Sequence, residues 1–149
     1  MLLCFNDLAN FFPEKQGITV DMEYYTVCDR SDEDQPKGLY VPLGEESGEL
    51  SNAIANGAIA VIWDKAKTLP RYTPNHFPVF FTGDPQEALI KLIRYYFEKL
   101  NGEQNRVMDM TNFKISNKKL LNKNNETYDI AVMLKQLSDK QENNRERRG

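Results

Sequence analysis

Gly38-Leu39-Tyr40-Val41-Pro42-Leu43, then Ala53-Ile54-Ala55-Asn56-Gly57-Ala58-Ile59-Ala60-Val61-Ile62-Trp63, then Pro78-Val79-Phe80-Phe81-Thr82 running into Asp84-Pro85, decide the fold of this chain. Leu39 to Val41 and Val79 to Thr82 are short β-branched and aromatic runs with the length of strands. Ala58 to Trp63 is apolar almost throughout, which predicts a central strand covered on both faces. Between the first two runs, Ser47 to Asn56 predicts a short helix stopped by the left-handed residues of Asn56-Gly57. After Thr82, Asp84 predicts an N-cap and Pro85 a first helical residue. Leu89, Leu92, Ile93, Tyr96, Phe97 and Leu100 then make one apolar stripe at spacings of three and four, enough to cover one sheet face. Strand, helix, strand, strand, helix is the order of a small α/β domain, a mostly parallel sheet flanked by helices.

Outward from that core, Leu2, Leu3, Phe5, Leu8, Phe11 and Phe12 recur with a helical period that Pro13 ends. Glu23 to Cys28 reads as a strand, Asp29 to Pro36 as a polar loop, and Lys65 to His76 as a surface loop. The α/β domain is expected over residues 1–102. From 103 to 138 the composition shifts to a tail. Asn112 to Asn125, with Lys114, Lys118, Lys119 and Lys123 around Phe113 and Ile115, predicts a solvated hairpin or linker. Thr127 then caps an amphipathic helix, so a C-terminal helical tail is expected. Its stripe of Ile130, Met133, Leu134 and Leu137 needs a surface to lie on, either this domain, a protein partner or a second copy. Residues 139–149 are polar or charged and predict disorder.

A chain of 149 residues can bury one real core. Its net charge of −3 gives no broad attraction to nucleic acid or to an anionic membrane, so neither is an expected partner. The single aromatic of the lysine-rich stretch is a thin basis for single-stranded nucleic acid. Cys4, Cys28 and the lone His76 are not spaced as metal ligands, and no metal is expected. Met1 to Asp7 lacks a basic leader region, and no apolar run approaches the ~20 residues needed to span a bilayer. A cytoplasmic protein is the expectation.

The segments quoted at the outset, with Asp29-Arg30-Ser31 before them, resemble the N-terminal domain of the Mur ligases. Those enzymes add amino acids to UDP-N-acetylmuramoyl peptides. The resemblance covers roughly Tyr24 to Leu100. It implies the Mur ligase N-terminal-domain fold and a setting in peptidoglycan precursor metabolism. It also implies two loops at the carboxyl edge of the sheet that hold the uridine nucleotide end of a UDP-sugar peptide. The first family loop carries Asp-Ser-Arg, which here reads Asp29-Arg30-Ser31 with the last two residues exchanged. The second carries Gly-Glu and then Asp-Gly-His. Here Gly44-Glu45-Glu46-Ser47-Gly48 runs straight into the helix without Asp-Gly-His. The resemblance thus nominates Asp29, Arg30, Ser31, Gly44, Glu45, Glu46 and Ser47 as substrate-binding residues, and no catalytic residue.

Chemically, Asp29 and Ser31 could accept hydrogen bonds from uracil or ribose, and Arg30 could pair with phosphate. The same residues could equally form a solvated turn, and Asp29, Asp32, Glu33 and Asp34 together repel a diphosphate. Gly44 to Gly48 could approach a ligand through its backbone, or simply connect a strand to a helix. Glu45 and Glu46 disfavour an anion there. An acid/base pair drawn from Asp29, Glu45 and Glu46 would suit a hydrolase, but with 28% charged residues such clusters arise by chance. Full-length Mur ligases also carry a Gly-Thr-x-Gly-Lys-Thr/Ser phosphate loop. This chain has no Gly-Lys dipeptide, and no glycine lies between Gly102 and Gly149. A phosphate loop needs both closely spaced glycines and a lysine. No nucleotide cofactor is therefore expected, nor ATP-dependent amide ligation by this polypeptide alone. Two functional classes remain, a stand-alone binding module for a UDP-sugar peptide and a protein-interaction module that kept the scaffold and lost the pocket.

Overall fold

A computed structural model describes residues 2–102 and 110–116. In chain order its elements are β1 (Leu3–Cys4), α1 (Phe5–Phe11), β2 (Lys15–Gln16), β3 (Glu23–Tyr24), β4 (Thr26–Cys28), β5 (Gly38–Tyr40), a 3-10 turn (Glu45–Ser47), α2 (Leu50–Ala55), β6 (Ala58–Asp64), β7 (Val79–Thr82), α3 (Pro85–Gly102) and β8 (Asn112–Lys114). The main sheet has the order β2-β7-β6-β5-β4-β8 and is parallel throughout, except that β2 runs antiparallel to β7. β1 and β3 form a separate antiparallel ribbon. The expected α/β class, with its mostly parallel sheet flanked by helices, is present.

Side chains alternate across the strands as the pleat requires. Leu39, Val41, Ala60, Ile62 and Phe80 face α1 and α3 in one core, while Tyr40, Val61 and Val79 face α2 in another. The alternation slips once. Gly38 pairs with Ala58 and Leu39 with Ala60, so Ile59 is an extra residue on β6 and sits on the same face as Ala60. That β-bulge keeps a seven-residue strand in register with a three-residue neighbour. The expected stripe on α3 buries Leu89, Leu92, Ile93 and Tyr96 completely. Asp84 caps the helix as expected, its Oδ1 accepting from the N–H groups of Gln86 (3.1 Å) and Glu87 (3.2 Å).

Four sequence readings are corrected. Glu23 to Cys28 is not one strand, because Tyr25 separates β3 in the ribbon from β4 in the main sheet. Leu2 and Leu3 do not belong to the first helix, since the Leu3 N–H donates to Thr111 Oγ1 (2.8 Å) and Leu3 pairs with Tyr24. The helix expected from Ser47 to Asn56 begins only at Leu50, after the 3-10 turn and Gly48. Asn112 to Lys114, expected in a solvated linker, forms β8 beside β4, so the sheet extends beyond Gly102. Long-range contacts override the polar composition there. Phe113 packs on Tyr96 with ring centroids 5.4 Å apart. Thr111 donates through Oγ1 to Tyr24 O (2.7 Å) and through its N–H to Tyr96 Oη (2.8 Å). The expected helix from Thr127 to Leu137, its Ile130-Met133-Leu134-Leu137 stripe and the tail at 139–149 lie outside the described residues.

Asp7 ties the first helix to α3. Its carboxylate accepts from the Cys4 N–H (3.0 Å), from Cys4 Sγ (3.3 Å), from Tyr95 Oη and from Lys99 Nζ (3.2 Å). Burial alone would push this carboxyl up, but the hydrogen bonds outweigh it and hold it below the usual carboxylate range. A group whose folded pKa is depressed stabilises above its unfolded pKa, and the stabilisation is lost as pH falls through the folded value. Asp7→Asn should therefore cost roughly 1–3 kcal/mol at neutral pH. The gap to wild type in thermal melts should close as pH falls through the ordinary carboxylate range and past the depressed folded value. A gap that stays constant with pH would show that the carboxylate charge contributes nothing.

Candidate functional site

Both loops nominated in the sequence lie at the carboxyl edge of the parallel sheet, where ligands of open α/β sheets commonly bind. The first leaves β4 and the second leaves β5, so they sit side by side. Backbone and side-chain hydrogen bonds lock them together. Ser31 N–H donates to Ser47 O (2.8 Å) and Asn56 Nδ2 to Ser31 O (2.7 Å), while Ser47 Oγ accepts from Leu43 N–H (3.0 Å). Asp29, only 1% exposed, accepts through Oδ1 from the Ser116 N–H (2.9 Å) just past β8. Cys28 Sγ donates to Arg30 O (3.2 Å), and burial raises that thiol's pKa above its ordinary value. Asp29, Ser31 and Ser47 are thus buried and bonded to the chain's own backbone.

Arg30 reaches outward but not alone. Its Nε and one terminal nitrogen each lie 2.9 Å from the two carboxylate oxygens of Asp32, a bidentate pair at the surface. Glu45 and Glu46 are exposed on the 3-10 turn. Gly48 closes that turn with φ 100° and ψ −179°, a region open essentially to glycine alone. A Cβ there would stand 2.0 Å from Ser31 Oγ. The Gly48 carbonyl accepts from the buried Tyr40 hydroxyl (2.7 Å), whose pKa burial pushes well above the ordinary tyrosine value. Gly48→Ala should accordingly lower stability by about 1–3 kcal/mol. Ser31→Ala in the same chain should recover only the steric share of that loss. Equal melting temperatures for Gly48→Ala and wild type would contradict the geometry.

A cleft of about 350 Å³ opens beside the second loop. Pro42 to Glu45 and Gly48 form one wall, the end of β6 with Trp63, Asp64 and Lys67 the floor, and the turn from Gly83 into α3 the other wall. Trp63 is half-buried, its Nε1–H donating to Lys67 O (3.2 Å), which anchors the indole to the turn after β6. The N-terminal amides of α3 are not open to an anion, because Asp84 already caps Gln86 and Glu87. Of the nominated residues only Gly44 and Glu45 line this cleft; Asp29, Arg30, Ser31, Glu46 and Ser47 do not. Sequence reasoning missed Trp63, Lys67 and the Gly83-Asp84 turn. Their one legible signal was position, since each lies at or just past the carboxyl end of a predicted parallel strand.

Among the described residues no three His, Cys, Asp or Glu side chains are grouped to hold a metal ion, and no helix is long and apolar enough to cross a membrane. Compared with known proteins, the chain matches no protein-family model and no curated protein.

Proposed function

We propose that the protein is a non-catalytic binding module whose carboxyl-edge cleft takes the nucleotide end of a UDP-sugar peptide, in the manner that its resemblance to Mur ligase N-terminal domains implies. The observation that carries this reading is the pairing of the two nominated loops through Ser31 and Ser47 beside a cleft of about 350 Å³. That volume lies within the range of small-ligand sites. In this reading the Trp63 ring offers a stacking face for a uracil, and Lys67 is the cation lining the cleft for a diphosphate. Glu45, which lines the same cleft, is a carboxylate acceptor suited to a sugar hydroxyl.

A second reading, a protein-interaction module on the same scaffold, is favoured by one observation. Asp29, Ser31 and Ser47 are bonded to backbone, and the acids Asp32, Glu33, Asp34, Glu45 and Glu46 stand exposed around them. Calorimetric titration with UDP, UDP-N-acetylglucosamine and a UDP-N-acetylmuramoyl peptide separates the two. The first reading expects saturable binding that quenches or shifts Trp63 fluorescence and weakens in Lys67→Gln. No heat and no fluorescence change with any of the three at millimolar concentration would reject it in favour of the second.

A further inference from the structure

A second cavity, of about 400 Å³, adjoins the Gly83-Asp84 turn, between the end of α1, the end of β7 and the first turns of α3, with Lys65 just past β6 also lining it. Phe11, Phe12 and Ala88 supply its apolar wall. Phe12 and Ala88 are buried in the core behind it, at 6% and 4% exposure, so the wall is fixed by packing. Five ionisable side chains stand at its mouth: Glu14, Lys65, Asp84, Glu87 and Lys91. Three of them already have work within the fold. Asp84 caps α3, and Lys91 pairs with Glu87 at 3.4 Å one helical turn away. Glu14 and Lys65 remain, one of each sign, and neither is in the ion pairs Arg30–Asp32, Lys91–Glu87 and Lys99–Asp7 found among the described residues. The Lys65 stem crosses the turn, its Cε lying 3.6 Å from where a Cβ on Gly83 would stand.

An apolar wall with one unpaired cation and one unpaired anion at its mouth matches a particular chemistry. A simple anion would meet Glu14, and a simple cation would meet Lys65. A zwitterion with an apolar side chain satisfies both and fills the wall. We infer that this cavity is a binding site for a free apolar α-amino acid, with the ligand carboxylate toward Lys65, its ammonium toward Glu14 and its side chain against Phe11 and Phe12. The site is separate from the cleft beside Trp63 and stands whether or not that cleft binds a nucleotide.

The test is titration of the full chain with L-phenylalanine, followed by nitrogen–proton NMR. Two truncated analogues serve as probes: 3-phenylpropionate, which lacks the ammonium, and 2-phenylethylamine, which lacks the carboxylate. Saturable shifts are expected at Lys65, Gly83, Ala88 and Lys91, with each analogue binding about tenfold more weakly than the amino acid. Lys65→Gln should weaken phenylalanine by a similar factor and leave phenylethylamine unchanged, and Glu14→Gln should likewise weaken phenylalanine while leaving phenylpropionate unchanged. Both residues are exposed, so the variants should fold. Absence of saturation, equal binding of all three probes, or shifts confined to Gly44, Trp63 and Lys67 would overturn the assignment.

Discussion

Ala60→Asp is expected to abolish folding. Ala60 is fully buried on β6, paired in register with Leu39 and packed in the core shared with Ile62, Phe80 and α3. A carboxylate there would face apolar side chains on its own surface of the sheet. Either it stays charged and unpaired in a low-dielectric interior, or it is protonated and still lacks hydrogen-bond partners. The penalty should exceed about 4 kcal/mol, set against a total stability of about 5–15 kcal/mol for a domain of this kind. Far-ultraviolet circular dichroism and a thermal melt should show loss of the cooperative transition. Ala60→Ser, nearly the same size, should retain it. A soluble Ala60→Asp protein with unchanged melting temperature would remove β6 from the interior.

Phe80→Ala should give the next largest effect. Phe80 is fully buried on β7, opposite Ile62 in the register, with its ring centroid 5.4 Å from Phe5 and 6.0 Å from Phe12. Truncation deletes the ring that joins α1 to the sheet and leaves a cavity that the neighbouring strands cannot close. Such deletions cost about 3–5 kcal/mol, which for a domain of this size lowers the melting temperature by at least about 10 °C. Phe80→Leu, which keeps most of the volume, should cost less than half as much. If both variants lost the same amount, ring packing against Phe5 and Phe12 would not be what holds α1 in place.

The parts of the fold that were legible in the sequence are those with a local cause. The apolar run of β6 and the strand of β7 follow from side-chain type, and the start of α3 follows from Asp84 and Pro85. The buried face of α3 follows from its three-and-four spacing. None of these depends on knowing what lies opposite. The bulge at Ile59 was not legible, because it exists only as a mismatch between β6 and the shorter β5. Nor were Lys15–Gln16, which is polar, and Asn112–Lys114, where Phe113 is set among polar residues; both become strands only by pairing with β7 and β4.

The candidate site divides along the same line. By itself the sequence determined that glycine-bearing and acidic loops follow predicted strands, and that no phosphate loop exists, since both are matters of residue order. Only the tertiary structure decided which of those residues face a ligand. Asp29 is buried because β8 arrives beside β4 and the Ser116 N–H just past it donates to the Asp29 carboxylate. Ser31 and Ser47 are buried because the loops after the neighbouring strands β4 and β5 close on each other at one edge of the sheet. Trp63 and Lys67 line the cleft because β6 lies between β5 and β7. Residue type sets which hydrogen bonds a side chain can make, but the partner is supplied by whatever segment the fold brings within about 3 Å, and that is settled only when the sheet closes.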